Sequence, residues 1–289
     1  MEKRKFGKTN AKVSVLTLGG FGPGVEEVSQ KEADVYFKKA LDAGINMIDI
    51  APSYGNAETK ITNFMKEYRD NFFIAEKTME RTKEGAEKEL KQSLKNLATD
   101  HFDCYQFHAV KSLEELDTIF GPNGAMEAFQ EAKESGIIKY IGLTGHDDIR
   151  IHKKALELFD FDVLLLPVNM TSIISPDPVN DYRSVLKETI KRDIGITAIK
   201  AIQRGRWKGE PKYHTWYEPF DDAGSIQDAI NFTLSQKGVT TYSMAGDIRL
   251  WDYMLDAGKN FTLLNDSEQE KLIEKYSKLP TAPLFPEIK

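Results

Sequence analysis

Eight times along this chain a short apolar run is followed by a stretch with helical periodicity, and that alternation limits the fold more than any single residue. The runs lie at Val15–Leu18, Ile45–Ile50, Phe72–Lys77, Phe102–His108, Ile138–Leu143, Val163–Leu166, Gly195–Ile199 and Thr240–Met244. Their lengths suit buried strands. Helix signals separate them. Ser29 with Glu32 makes a capping box, and Gly44 stands where that helix should end. Thr82 caps a stretch with Leu90, Leu94 and Leu97 at helical spacing, and Gly136 follows a helix over Gly124–Ser135. Asn56 and either Asp147 or Asp148 are further candidate caps. Short links between such units require parallel strands with crossover helices. Eight units close most simply into an α/β fold of the TIM-barrel type, (β/α)8, as one domain over residues 1–289. A doubly wound open sheet is the alternative, though it has no need of an eighth unit.

The remaining segments fit around that frame. Residues 3–14 hold a Gly and an Asn between two strand-like pieces and read as a hairpin. Gly19, Gly20, Gly22 and Gly24 surround Phe21, either to admit a ligand close to the backbone or as a plain flexible turn. Ala201–Gly224 is a loop of unusual length with Trp207, Tyr213, Trp216 and Tyr217, expected to cover a ligand. Ser267–Lys278 reads as a last helix, and the tail PTAPLFPEIK as irregular.

Composition narrows the function classes. A net charge of −6 argues against a general nucleic-acid binder, which must neutralise phosphates. No run of 18 apolar residues predicts a membrane span, and MEKRKFGKTN lacks the apolar segment of a secretory signal. The single Cys104 leaves no internal disulfide and no cysteine-ligated cluster, so a reducing cytoplasm is the expected location. No metal site is expected, and the oligomeric state is not legible.

Barrel sites lie at the C-terminal ends of the strands. Three consecutive runs end there in polar residues: Asp49, Lys77 and His108. By alternation Asp49 shares a face with Met47, Lys77 with Ala75, and His108 with Gln106. If those faces point inward, the three groups converge at the mouth, where the loop Pro52–Gly55 presents Tyr54. Singly, Asp49 reads as a loop cap, Lys77 as a snorkelling lysine and His108 as a core histidine. Together they make a chemical set. A phenol titrates near pH 10, an ammonium beside it favours phenolate, and a carboxylate holds that ammonium in place. An imidazole can orient a substrate oxygen. Such a set would protonate a carbonyl oxygen as it becomes an alkoxide. No side chain provides hydride, so a nicotinamide or flavin is implied.

The motifs carrying these residues resemble those of the aldo-keto reductase family. Asp49–Glu58 resembles its D-x-A-x-x-Y-G-N-A-E stretch, and Ser93–Asp103 its S-L-x-x-L-x-T-D-x-x-D signature, running on to His108. The initial FGKTNAKVSVLTLGG resembles its hairpin and first strand. The resemblance implies a barrel closed at its base by the hairpin and NADP as cofactor, with NAD the alternative. It implies a small aldehyde or ketone as substrate. Tyr54 then matches the general acid, Lys77 and Asp49 the groups that tune it, and His108 the group that orients the carbonyl. On the cofactor side the resemblance points to Gly20, Phe21, Asp49, Thr144, His146, Asn169, Lys200, Arg204, Gly246 and Arg249. That side departs from the family pattern in two places: Gly145 stands where an asparagine is usual, and Leu165 where a glutamine is usual. Asp247 beside Arg249 weighs against a 2′-phosphate site. Two rivals stay open: an aldolase or isomerase using Lys77 or Lys200 as a Schiff base, and a nicotinamide-binding regulatory subunit with vestigial turnover.

Overall fold

The computed structural model describes residues 1–284, so the end of the proline-rich tail lies outside the described residues. Strands β1 (Lys3–Lys5) and β2 (Lys12–Ser14) pair antiparallel, with Lys3 opposite Ser14. Eight parallel strands follow in chain order: β3 (Leu16–Gly19), β4 (Met47–Asp49), β5 (Phe73–Thr78), β6 (Phe102–Phe107), β7 (Ile138–Thr144), β8 (Val163–Pro167), β9 (Gly195–Ile199) and, after a small side pair, β12 (Thr241–Ser243). Each pairs with the next, and β12 closes on β3, with Tyr242 opposite Leu16. The side pair is β10 (Gln203–Gly205) with β11 (Glu218–Pro219). The fold is therefore the (β/α)8 barrel with an N-terminal hairpin.

The hairpin explains which face of each strand points inward. Phe6, fully buried, clusters with Met47, Phe73, Ala75, Cys104 and Val163. Its ring meets Phe73 edge-on at 5.5 Å. An apolar plug at the floor fixes the pleat above it, because a one-residue slip would turn every side chain to the other face. Counting upward by two from Met47, Ala75 and Cys104 leads to Asp49, Lys77 and, past Gln106, His108. The pairing sets Asp49 opposite Ala75 and Lys77 opposite Gln106. Lys77 thus stands one layer above Asp49 and reaches down to it.

Helices cover the outside, among them Gln30–Asp42, Ala57–Tyr68, Lys83–Asn96, Ala125–Glu134, Ile149–Leu158, Tyr182–Lys191, Ala223–Leu234 and Trp251–Lys259, with Asp266–Ser277 added at the end. The Ser29 capping box is complete, and Thr82 accepts from the Gly85 N–H as expected. Four local details correct or sharpen the sequence reading. Asn56 makes no side-chain cap; its backbone N–H instead donates to the Gly24 carbonyl at 2.9 Å. Asp148, not Asp147, caps Ile149–Leu158 through the Arg150 N–H. Leu113–Phe120 is an additional helix, capped by Ser112 through the Glu115 N–H, and buries Leu116 and Ile119. The loop Ala201–Gly224 carries the β10–β11 pair, and Asp222 caps the helix after it through the Ser225 N–H.

The glycine cluster after β3 is neither loose nor open. Phe21–Gly24 forms one short helical turn. A Cβ on Gly24 would lie 2.1 Å from the Tyr54 carbonyl oxygen. That obstacle is backbone, which cannot swing aside like a side chain, so the turn and the Tyr54 loop interlock only without a side chain there. Gly24→Ala is accordingly expected to displace the Tyr54 loop and to lower thermal stability by about 1–3 kcal/mol, as overpacking does. Thermal unfolding of the variant checks this; an unchanged melting temperature would show that the two segments are not interlocked.

Candidate active site

At the barrel mouth the end of β4 brings Asp49 against Lys77 of β5, with Nζ 2.8 Å from Asp49 Oδ1. Lys77 Nζ also donates to the Ile50 carbonyl at 2.9 Å. Ser243, at the end of β12, donates its hydroxyl to Asp49 Oδ2 at 3.2 Å. Both charged groups are nearly sealed from water, Asp49 at 3% and Lys77 at 1% exposure. A buried ammonium with one carboxylate and one carbonyl is held in one position.

Tyr54 lies over this pair, with Lys77 Nζ 4.6 Å from the centroid of its ring. Its ring meets Phe21 edge-on at 5.7 Å and His108 at 5.4 Å. His108 Nδ1 is 3.2 Å from the Ser53 hydroxyl. Arg81 donates to the His108 carbonyl at 2.6 Å, which fixes the chain where β6 ends.

Electrostatics give each group a protonation state. Burial pushes the Tyr54 phenol up to about 12; Lys77 pulls the other way, and Asp49 adds to the rise. The sequence led us to expect a lowered phenol pKa. The cation acts in that direction but loses to desolvation, so the resting phenol is protonated. Burial also works against the Lys77 charge, yet Asp49, Tyr54 and Glu76 hold its pKa above the ordinary lysine value. His108 is depressed well below the usual range by burial and by Lys77 and Arg81, so its ring is neutral. The arrangement offers a neutral phenol, a fixed cation under it and a neutral imidazole beside it.

Two cavities flank Tyr54. One, about 430 Å³, is walled by Ser53, Met79, His108, Lys111 and Asp147. The other, about 70 Å³, is a cleft toward Gly19, Asp49, Tyr217, Ser243 and Gly246. Phe21, Tyr54, His146, Lys200 and Trp216 line both. Trp216 comes from the long loop and packs on Phe21 at 4.3 Å. The loop is tied down by the His214 N–H to Asp247 at 2.8 Å and by Arg249 to the Lys212 carbonyl at 2.7 Å.

The cofactor-side residues divide into those that reach these cavities and those that do not. Phe21, Asp49, His146, Lys200 and Gly246 are in the walls. Gly20 acts through its backbone, donating its N–H to the Asp49 carbonyl at 2.8 Å. Thr144 is fully buried and its hydroxyl accepts the Ala109 N–H at 2.7 Å. Asn169 Oδ1 accepts from the Ser172 N–H and hydroxyl at 2.9 and 3.1 Å, and its amide faces Gln203 at 3.3 Å. Neither lines the two cavities beside Tyr54. Arg204 faces Glu218 at 3.4 Å, and its buried Nε finds no acceptor among the described residues. Arg249 is forked onto Asp247, with bonds of 2.9 and 2.6 Å, and its guanidinium lies 5.0 Å over the Tyr213 ring. Gly145 has a packing reason: a Cβ there would meet His152 Cε1 at 2.6 Å.

Three neighbours of the site escaped the sequence reading. Ser243 was reachable by alternation along the eighth run, since Thr241 already points inward to Thr17 at 2.7 Å. Ser53 sat in the loop without a partner to mark it. Glu76, next to Lys77, points away from the mouth. It is wholly buried, accepts the Lys77 N–H at 2.9 Å, and burial together with Glu58 raises its carboxyl pKa well above the ordinary range.

The closed eight-stranded barrel thus gathers a phenol, an ion pair and an imidazole at its mouth. Residues 15–275 match the model of the aldo/keto reductase family, and the chain belongs to that family. Uncharacterized oxidoreductase YqkF of Bacillus subtilis is 29% identical over 158 residues, covering 50% of this chain and 49% of that protein. Aldo-keto reductase YhdN of the same organism is 29% identical over 161 residues, 50% of this chain and 47% of that one. The chain thus matches about half the length of these curated relatives. The solved structure of aldo-keto reductase AKR11C1 from Bacillus halodurans, in its holo form, superposes with a TM-score of 0.74. That likeness covers 97% of this chain and 98% of that one at 22% identity, and shows the fold. Among the described residues, no helix is long and apolar enough to cross a membrane.

Proposed function

We propose that this chain is an NAD(P)H-dependent reductase of small aldehydes or ketones. The observation that carries the reading is the Lys77 ammonium, fixed by Asp49 and Ile50 beneath a protonated Tyr54 and beside a neutral His108. In this reading His108 orients the carbonyl oxygen and Tyr54 gives it a proton as negative charge develops there. Lys77 stabilises the phenolate left behind, and Asp49 keeps Lys77 charged and in place. A reduced nicotinamide supplies the hydride when bound.

The residues fit such a cofactor at both ends. Near Tyr54 the narrow cleft is walled by Gly19, Gly246, Met244 and the rings of Phe21, Trp216 and Tyr217, with Asp49, His146, Lys200 and Ser243 as polar points. This mixture of flat apolar surface and hydrogen-bonding groups suits a heterocycle with a polar substituent. Farther out, the Arg204 Nε donor lacks an acceptor among the described residues, and Arg249 keeps 57% exposure beside Asp247. Both suit phosphate oxygens. Arg249 is the basis for preferring NADP over NAD.

Trp216 in the cleft wall makes binding measurable. NADPH is expected to quench tryptophan emission saturably, with NADH at least severalfold weaker. Equal affinity for the two would remove the role given to Arg249, and no quenching by either would remove the cofactor. Initial rates of NADPH oxidation with a panel of aldehydes and ketones test the activity itself. Binding without turnover on any of them would favour a sensing subunit. A Schiff base at Lys77 has less in its favour, because the ion pair keeps that amine protonated.

A further inference from the structure

We propose that a separate pocket, behind the loop that carries Tyr54, binds an aliphatic diamine, with one ammonium at its floor and the other at its rim. The pocket holds about 560 Å³ and is bounded by Pro52 and Glu58 on one side and by Glu80 and the helix Lys83–Asn96 on the other. It backs onto the candidate active site. Pro52 is in its wall while Ser53 and Tyr54 face the larger cavity, and Glu80 is in its wall while Met79 faces that cavity. The two spaces share loops but no lining residue.

Two buried oxygens at the floor point to a ligand that donates hydrogen bonds. Glu58 is 8% exposed; its Oε2 accepts from the Asn96 amide at 2.9 Å, and its Oε1 has no donor among the described residues. Ser93 is 1% exposed, and its hydroxyl likewise has no partner there. Both residues wall the pocket. Buried polar atoms are nearly always bonded, because an unmet one has lost its hydration without return. An ammonium carries three donors and no acceptor, so one such head can serve both oxygens.

The charges of the wall decide the class of ligand. It holds four carboxylates, Glu58, Glu80, Glu84 and Glu89, against one lysine, Lys88. Glu89 is bonded to neutral donors, the Thr78 hydroxyl and the Met79 N–H. Two further lysines of the helix are engaged elsewhere, Lys83 with Glu131 at 2.5 Å and Lys91 with Glu87 at 3.7 Å. Such an excess of negative charge repels an anion and draws a cation. A metal ion does not fit, since no three acidic, histidine or cysteine side chains among the described residues are grouped to hold one. The carboxylates are spread instead, with Glu58 at the buried floor and Glu80 and Glu84 exposed at the rim. Glu80 rests over Gly85, where a Cβ would come within 2.3 Å of its Oε2. Two charges joined by a flexible chain match that spread. A single ammonium leaves one end unmet.

Isothermal titration calorimetry of the intact protein with 1,4-diaminobutane and 1-aminobutane tests this. The diamine should bind one per chain and about tenfold or more tightly than the monoamine, the worth of a second charge-assisted bond. Glu84→Gln, a change at the exposed rim, should bring the diamine down toward the monoamine and leave the monoamine nearly unchanged. Lys88→Met should tighten the diamine. Glu58→Gln should weaken both amines; if that buried change unfolds the chain, the two rim variants carry the test. Saturating NADPH should leave diamine binding as it was. Equal affinity for the two amines, or binding of neither, would overturn the inference. So would a loss in Glu87→Gln as large as in Glu84→Gln, because Glu87 is outside the pocket and the attraction would then be diffuse. Displacement of the diamine by NADPH would overturn it as well, by placing the amine in the cleft beside Tyr54. None of these outcomes depends on turnover, so the reductase reading is tested apart from them.

Discussion

Tyr54→Phe is expected to lower carbonyl reduction by several orders of magnitude while leaving NADPH binding nearly unchanged. The change removes one oxygen and keeps the ring, so the edge-on contacts to Phe21 and His108 survive, as does the Lys77 ammonium over the ring face. What is lost is the proton that the alkoxide must receive. General acid catalysis contributes roughly 10²–10⁴-fold, and the developing oxyanion loses a donor besides. The high phenol pKa sharpens the expectation. At about 12 the group stays protonated across the range in which the protein is assayed, so reduction should show no alkaline loss from Tyr54 itself. Alcohol oxidation needs the phenolate and should rise with pH over the same range. Rates in both directions, with NADPH affinity from tryptophan quenching, check the result. Reduction near the parent rate in Tyr54→Phe would mean that another group donates the proton.

How far the sequence leads to this site depends on what kind of information each part needs. The barrel was legible because eight alternations, each a strand length followed by a helix length, repeat one constraint. The inward faces were legible because alternation by two is rigid once one residue is placed. Asp49, Lys77 and His108 needed nothing more. Which distant residues pair was not legible, even where alternation gave the inward face. Ser53 meets His108 across 55 positions, and Ser243 meets Asp49 across 194. No local pattern carries such a pairing. The Tyr54 pKa was misjudged for a related reason: the ammonium is visible in the sequence, but the depth of burial that outweighs it exists only in the folded chain. On the cofactor side the sequence named residue types and could not say which were already engaged. Thr144 and Asn169 turn out to be bonded to Ala109 and Ser172, and Arg249 to Asp247. The helix Leu113–Phe120 was readable from Ser112 and Glu115, but it interrupts the one-strand, one-helix rhythm that the rest of the chain follows.

Lys77→Met is expected to damage stability and catalysis together, and the two effects can be separated. Removing the ammonium leaves the Asp49 carboxylate almost fully buried, with only the Ser243 hydroxyl bonded to it among the described residues. Breaking a buried ion pair by deleting one partner costs about 3–5 kcal/mol, since the remaining charge stays uncompensated. Thermal unfolding should show a marked loss. Adding Asp49→Asn removes the stranded charge, so the double variant should regain much of that stability. Catalysis should not return with it. In both variants the phenol has lost the cation that draws its pKa down, so alcohol oxidation should require a pH higher than in the parent and reduction should stay slow. The double variant also lacks the Asp49 charge that raises the phenol, so its oxidation profile should lie below that of Lys77→Met yet above the parent's. That order follows only if Lys77 acts on Tyr54 through its charge. A double variant that recovers stability and parental rates alike would show that Lys77 merely neutralises Asp49 and that the phenol needs no cation beneath it.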